Sequence, residues 1–275
     1  MPAYVTRRGR QLTVLAGLLV LLGGFSLNAA AQPVPQSGVK PTIVLVHGAF
    51  ADASSWNGVA ERLQQQGYSV VAPANPLRGL TADSAYISSV VQQIAGPVLL
   101  VGHSYGGAVI TNAAATAPNV VGLVYVAAFA PDEGERLEEI QSNSKDSVVS
   151  TALVQLQYPT GRGTETAVEF AINPTLFQAA FAADLPGQQT ALMAATQRPI
   201  AALAFTDASG APAWKRLPSW AVVATGDKAA GTDIVRSMAQ RAGADIVEVE
   251  GSHVIMLSQP DAVTNQILNA IRAVS

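Results

Sequence analysis

At the centre of the chain lies Gly102-His103-Ser104-Tyr105-Gly106-Gly107, between the apolar run Val98–Val101 and an alanine-rich segment with helical spacing. A sharp turn from a strand into a helix lifts a serine Oγ above the sheet, and glycines flank it because the tight backbone leaves no room for side chains. The turn also places the backbone N–H of Tyr105 at the helix start, where it faces an anion beside the serine. The stretch therefore predicts that Ser104 is a nucleophile at the end of a buried strand.

Similar short apolar runs recur along the chain, and segments with helical spacing lie between them. Continuous apolar, β-branched runs are typical of strands that are buried on both faces. Their alternation with helices predicts an α/β fold with a mostly parallel sheet of about six strands and helices on both faces. The runs are Thr42–Val46, Ser69–Ala72, Val98–Val101, Leu123–Ala127, Trp220–Ala224 and Ile246–Val249.

The alternation is interrupted between Pro131 and Leu217, where no buried strand is predicted. This stretch is rich in alanine and glutamine and has helix-like segments at 174–183 and 185–195. We interpret residues 132–217, approximately, as a helical cap inserted between two core strands rather than as an independent domain. Its apolar side chains exceed what a solvated loop would carry, so we expect some to pack on the core and others to face a substrate. Examples are Leu153, Leu156, Phe170, Phe177, Phe181, Leu192 and Met193.

A serine nucleophile needs a base, and the chain has three histidines. His103 is adjacent to the serine, so the turn directs its ring away from Oγ. His47 precedes the nucleophile, whereas the acid and the histidine follow the serine in this class of turn. His253 comes directly after the last apolar run, at a strand's carboxyl end, where reactive groups of an open parallel sheet collect. His253 is therefore the candidate base, and a surface histidine is the alternative interpretation.

The third residue of such a site is an acid that orients the imidazole, and it should lie between Ser104 and His253. Asp227 follows the run Trp220–Ala224 and is the preferred candidate. Asp132 follows the run Leu123–Ala127 and is the alternative.

A second hydrogen-bond donor for an oxyanion is expected after the first strand, in His47-Gly48-Ala49-Phe50. Gly48 allows the backbone to approach the site, so the backbone N–H of Ala49 could form an oxyanion hole together with that of Tyr105. His47 is interpreted as a hydrogen-bonded structural residue. Phe50 and Tyr105 are expected to form the floor of a substrate pocket.

The N-terminus has the pattern of a secretory signal peptide. Arg7, Arg8 and Arg10 precede an uncharged, mostly apolar stretch, 12–27, and small residues ending at Ala31 follow it. This predicts a signal peptide over residues 1–31, cleavage after Ala31, and export to a periplasm or out of the cell, with no stable membrane association afterwards. An uncleaved membrane anchor is the alternative, but the apolar stretch is shorter than the ~20 residues that span a bilayer.

Composition excludes several classes of protein. The chain is 49% hydrophobic and 13% charged, which excludes intrinsic disorder. It has no cysteine, which excludes disulfides, thiolate metal sites and a cysteine nucleophile. Its formal net charge is −3, and no basic run occurs beyond the first ten residues, so nucleic acid is not an expected partner. The histidines are dispersed and no phosphate-binding loop occurs, so neither a metal nor another cofactor is expected.

Together these motifs resemble the α/β-hydrolase superfamily over residues 32–275. Val46-His47-Gly48-Ala49-Phe50-Ala51-Asp52 and Ser54-Ser55-Trp56 are similar to its compact branch, which includes plant methylesterases and hydroxynitrile lyases. The resemblance implies a triad of Ser104, Asp227 and His253, oxyanion amides at Ala49 and Tyr105, no cofactor, and a helical cap. In the related lyases a lysine follows the catalytic histidine. Val254 stands there in this chain, which counts against cyanohydrin cleavage.

The function that these features predict is that of an exported serine hydrolase, a carboxylic ester hydrolase acting on small or medium esters through an acyl-enzyme. A lyase or acyltransferase with the same triad is one alternative. A non-catalytic binding protein on the same scaffold is another. The sequence leaves the substrate's identity and the oligomeric state open.

Overall fold

A computed structural model describes residues 38–275, and the predicted signal peptide lies outside the described residues. The strands, in chain order, are β1 (Thr42–Val46), β2 (Val70–Val71), β3 (Val98–His103), β4 (Val120–Val126), β5 (Leu153–Pro159), β6 (Thr166–Ile172), β7 (Ile200–Ala201), β8 (Ser219–Ala224) and β9 (Asp245–Val249). The α-helices are α1 (Asn57–Gln65), α2 (Leu80–Gln92), α3 (Tyr105–Ala113), α4 (Leu137–Ser142), α5 (Val149–Ala152), α6 (Phe177–Phe181), α7 (Gly187–Thr196), α8 (Leu203–Thr206), α9 (Thr232–Arg241), α10 (Ile255–Ser258) and α11 (Pro260–Val274). Two short 3₁₀ helices cover Ala53–Trp56 and Ala213–Lys215.

The main sheet has six parallel strands in the order β2-β1-β3-β4-β8-β9. Each of the six predicted runs coincides with one of these strands, which confirms the predicted fold class. The strands β3 and β8 are buried at every residue, as expected for strands covered on both faces. In the sheet, β2 lies on one side of β1 and β3 lies on the other, so the direction in which successive strands are added reverses after β2. Such a reversal of strand order opens a crevice at the carboxyl ends of β1 and β3, where ligands bind in open α/β sheets.

Amphipathic helices cover the sheet. In α11, Val263, Ile267 and Ile271 recur at helical spacing and are buried. Pro260 begins this helix, at a position where its missing N–H costs nothing. The helix packs against α1, β4 and β8, while α2 packs against α3. No helix within residues 38–275 has the length and apolarity needed to cross a membrane.

The insertion between β4 and β8 contains helices α4 to α8 and also a three-stranded antiparallel sheet, β5-β6-β7. The prediction of a helical cap is therefore incomplete. The missed strand β5 alternates apolar and polar residues and is mostly exposed or half-buried, so it contains no buried run. Alternation of this kind is typical of an antiparallel strand with one solvated face. The turn between β5 and β6 has glycines with positive φ at 161 and 163.

Candidate active site

Ser104 lies on a strained turn between β3 and α3, as the sequence predicts. Its backbone has φ 54° and ψ −123°, a left-handed conformation that is unfavourable for a residue with a side chain. The turn is possible because glycines make close contacts around it. A Cβ on Gly102 would lie 2.6 Å from the carbonyl oxygen of Gly106, and a Cβ on Gly48 would lie 2.6 Å from the Cβ of Ser104.

The loops after β8 and β9 bring Asp227 and His253 together. His253 Nδ1–H donates to Asp227 Oδ2 at 2.8 Å, and both side chains are at most 1% exposed. The other carboxylate oxygen accepts hydrogen bonds from the backbone N–H groups of Ala229 and Ala230, at 2.9 and 3.0 Å. A proton held on Nδ1 leaves the lone pair on Nε2, so the neutral imidazole can act as a base through Nε2.

Ser104 and His253 line one cavity, together with Ala49 and Tyr105. Ser104 Oγ makes no hydrogen bond within residues 38–275. This does not argue against a role as nucleophile, because the hydrogen bond between a nucleophile and its base is often long before substrate binds. The backbone N–H groups of Ala49 and Tyr105 likewise donate to no group in this part of the chain. Two unpaired donors beside a serine can stabilise an oxyanion.

Asp132, the alternative acid, lies elsewhere. Its carboxylate pairs with Lys215 and accepts the backbone N–H of Glu133, and these bonds lower its pKa. The structure brings Asp227, and not Asp132, to His253.

The other two histidines make hydrogen bonds to the backbone of loops around the site. His47 Nδ1–H donates to the Gly48 carbonyl at 2.9 Å, and Nε2 accepts the backbone N–H of Asn75 at 3.0 Å. Burial lowers the pKa of His47 to about 4, and the pKa of His103 falls well below its ordinary value for the same reason. His103 Nε2–H donates to the carbonyl oxygen of His253 at 3.0 Å, and the two rings lie 4.7 Å apart. Both histidines are therefore neutral structural residues at neutral pH.

One residue that the sequence analysis missed is Asp83, in α2. It is fully buried, and the phenol of Tyr105 donates to its carboxylate at 2.7 Å. The backbone N–H of Arg78 donates to both carboxylate oxygens at 3.1 Å. Burial raises the pKa of Asp83, although these hydrogen bonds oppose the shift. The pairing fixes the side chain of Tyr105, whose backbone N–H is the candidate oxyanion donor.

The cavity has a volume of about 400 Å³ and a mostly apolar wall. Five phenylalanines line it, namely Phe50, Phe129, Phe170, Phe181 and Phe205. Glu138, Gln141 and Ser142 of α4 also line it and supply polar groups. Of the apolar cap residues that were expected either to pack on the core or to face a substrate, Leu153, Phe170 and Phe181 line this cavity and Phe177 is buried, whereas Leu156 and Leu192 are exposed. Within residues 38–275 no group of three or more His, Asp or Glu side chains is placed to hold a metal ion.

Comparison with known proteins agrees with this architecture. A model of the alpha/beta hydrolase family matches residues 43–266, which include all of β1 except its first residue, the serine turn and the histidine loop. The chain belongs to the alpha/beta hydrolase family. This confirms the resemblance stated from the sequence motifs. Among curated proteins, the chain is similar to a carbendazim-hydrolyzing esterase of Nocardioides sp. (strain SG-4G). The two are 32% identical over 124 residues, which cover 40% of this chain and about half, 51%, of the relative.

Solved structures of similar fold include an esterase, a ketone synthase and a hydrolase. Polyneuridine aldehyde esterase superimposes with a TM-score of 0.73 at 21% identity, covering 84% of this chain and 99% of that one. Tomato methylketone synthase I has a TM-score of 0.69 at 20% identity, covering 86% and 100%. A pyrethroid hydrolase from Sphingobium faniae JZ-2 has a TM-score of 0.68 at 20% identity, covering 85% and 98%. At these identities the likeness concerns the fold alone.

Proposed function

We propose that this alpha/beta hydrolase is an exported serine esterase that cleaves small or medium carboxylic esters through an acyl-enzyme. The observation that carries the proposal is the 2.8 Å hydrogen bond between Asp227 and His253, at a cavity that also contains the strained Ser104. The esterase among the similar proteins supports the same class of reaction.

The proposed reaction has two steps. Ser104 Oγ attacks the ester carbonyl carbon while His253 Nε2 takes the hydroxyl proton, and Asp227 holds the tautomer that leaves Nε2 free. The backbone N–H groups of Ala49 and Tyr105 stabilise the negative charge on the carbonyl oxygen. His253 then gives its proton to the departing alcohol. Water, activated by the same imidazole, attacks the acyl-enzyme and releases the acid.

The substrate class follows from the size and polarity of the cavity. A volume of about 400 Å³ is at the lower end of the range for small-molecule sites, and its phenylalanines favour an apolar acyl or alcohol group. The cap lies over the strand ends that carry the site, which disfavours polymers. We therefore expect small or medium esters to be better substrates than long-chain triglycerides or proteins.

The test is a panel of p-nitrophenyl and aryl esters of graded acyl length, with product identification, assayed with the wild type and Ser104→Ala. The variant should lower kcat on the order of 10³-fold or more without loss of the fold. A fluorophosphonate probe should label Ser104 in the wild type and nothing in the variant. Equal turnover by the two proteins would exclude the serine mechanism. A wild-type protein that neither hydrolyses any ester of the panel nor reacts with the probe would support the alternative of a non-catalytic binding protein.

A further inference from the structure

A second depression lies beside the catalytic cavity, on the other side of Phe50. It has a volume of about 200 Å³ and runs between the loop that begins at Ala51 and helix α7. Leu192, Met193 and Leu257 supply apolar surface beside Phe50 and Ala51, and Leu192 is 65% exposed. The six other residues that line it are polar, and Asp52 is the charged one among them. We refer to it as the α7 groove. Within residues 38–275, Phe50 is the one residue that lines both the catalytic cavity and the α7 groove.

Phe50 is held firmly in this position. Its backbone has a φ of 59°, a left-handed value that is uncommon for a bulky residue and persists only where the surroundings impose it. Its N–H donates to the carbonyl oxygen of Arg198 at 3.2 Å. Its ring meets the ring of Phe181 edge-on, with centroids 6.0 Å apart, and the residue is 5% exposed. The contact with Phe181, which also lines the catalytic cavity, places the Phe50 ring at that cavity's wall.

We propose that Phe50 closes one end of the catalytic cavity and sets the length of the ester chain that it accepts, and that the α7 groove is the continuation that an apolar chain enters when the ring is removed. This inference rests on the proposed esterase function. Phe50 follows Ala49, whose backbone N–H is the proposed oxyanion donor. The carbonyl group of a bound ester would therefore lie close to Phe50, and one of the two chains of the ester would extend from the carbonyl towards the Phe50 ring. Up to the limit set by the ring, each buried methylene should raise kcat/KM by up to about fourfold.

The experiment uses two ester series of graded length, p-nitrophenyl esters with varied acyl chains and acetates with varied alcohol chains. In one of the two series, Phe50→Ala should increase the chain length at which kcat/KM begins to fall. For the longest esters, kcat/KM expressed relative to its value at the wild-type optimum should rise at least tenfold. The matched control is Phe205→Ala, which removes the same ring from a wall that does not line the α7 groove.

A variant in the α7 groove distinguishes an ester chain that extends into the groove from one that only occupies an enlarged catalytic cavity. Leu192→Glu places a charge in the α7 groove at an exposed position, where it should not disturb folding. In the Phe50→Ala background it should cancel the gain for long esters, because an apolar chain would then lie against a carboxylate. In the Phe205→Ala background it should change nothing.

The outcomes distinguish the two levels of the proposal. A wild type that hydrolyses no ester in either series refutes both the esterase function and the role of Phe50. A wild type with a clear length limit that Phe50→Ala leaves in place, or a gain that Leu192→Glu does not cancel, refutes only the role of Phe50. If thermal unfolding shows that Phe50→Ala is not folded, Phe50→Leu gives the same test with a smaller change in volume, and the same two results decide it.

Discussion

Ser252 donates two hydrogen bonds to the carboxylate of Asp184, one from its backbone N–H at 2.9 Å and one from its hydroxyl. Asp184 belongs to the cap, between α6 and α7, whereas Ser252 directly precedes His253. The cap therefore holds the loop that carries the proposed catalytic base. This contact gives the cap a part in positioning the site, in addition to covering it.

The cap contacts two other loops of the site in the same way. Gln141 Nε2, at the end of α4, donates to the carbonyl oxygen of Ala229 in the loop of Asp227. Arg198, after α7, donates to the carbonyl oxygen of Asn75 at 2.9 Å and accepts the N–H of Phe50. Each contact fixes backbone rather than a reacting atom. Removal of one should therefore loosen a loop without removing a catalytic group.

The first prediction concerns Asp184→Ala. Loss of two hydrogen bonds to a carboxylate should free the Ser252 loop and lower kcat for ester hydrolysis about tenfold, while KM changes less. The matched control is Asp207→Ala, because Asp207 is another cap acid that accepts a backbone N–H, that of Thr81, outside the catalytic loops. Its kcat should stay within about twofold of the wild type. Equal losses of kcat in both variants would show that the contact with the Ser252 loop has no specific role.

The second prediction compares two aspartates. Asp227→Asn should lower kcat on the order of 10³-fold or more, because an amide in place of the carboxylate would support the wrong tautomer of His253. Asp132→Asn should cost no more than a few-fold, since its partner is the surface Lys215. Steady-state kinetics with circular dichroism on both variants would decide. A larger loss in Asp132→Asn would reverse the assignment of the acid.

Most of the main sheet could be predicted from the sequence because its inner strands, such as β3 and β8, are buried on both faces and so consist largely of apolar residues. The strand β1 has the predicted bounds, Thr42–Val46. The placement of Asp227 and His253 followed from the same source, because parallel strands end at one edge of the sheet and bring their following loops together. Of the three histidines, the adjacency of His103 to the serine and the position of His47 before it then left His253 as the candidate base.

The cap was harder to predict because its contacts are distant in sequence. Glu169 in β6 pairs with Arg78 at 2.7 Å, across 91 positions of the chain, and no local pattern indicates such a partner. The contact between Asp184 and Ser252 is of the same kind, across 68 positions. The strand β5 did have a local signal, its alternation from Val154 to Tyr158 followed by glycines, but a search for buried runs passes over it.

The third prediction concerns residues outside the described part of the chain. If residues 1–31 are a signal peptide, mass spectrometry of the protein exported by a secreting host should give an N-terminus at Gln32. Ala31→Phe should abolish cleavage at this position, because the cleavage site requires small residues. An intact Met1 on a membrane-bound wild-type product would favour the anchor instead.

The last prediction concerns acid stability and His47. Burial lowers the pKa of His47 from 6.5 to about 4; the hydrogen bond to Gly48 opposes the shift and the nearby Arg198 adds to it. Between these two pH values the unfolded chain binds a proton that the folded chain does not, so the free energy of unfolding falls as the pH falls. The shift corresponds to a loss of roughly 3 kcal/mol once the pH is below 4. Urea unfolding at pH 7.5 and 4.5 should show most of this loss in the wild type. His47→Gln should be less stable at pH 7.5 but should lose clearly less stability on acidification, with His103 accounting for part of the remaining slope. An identical pH dependence in the two proteins would mean that His47 is protonated in the folded state at pH 4.5.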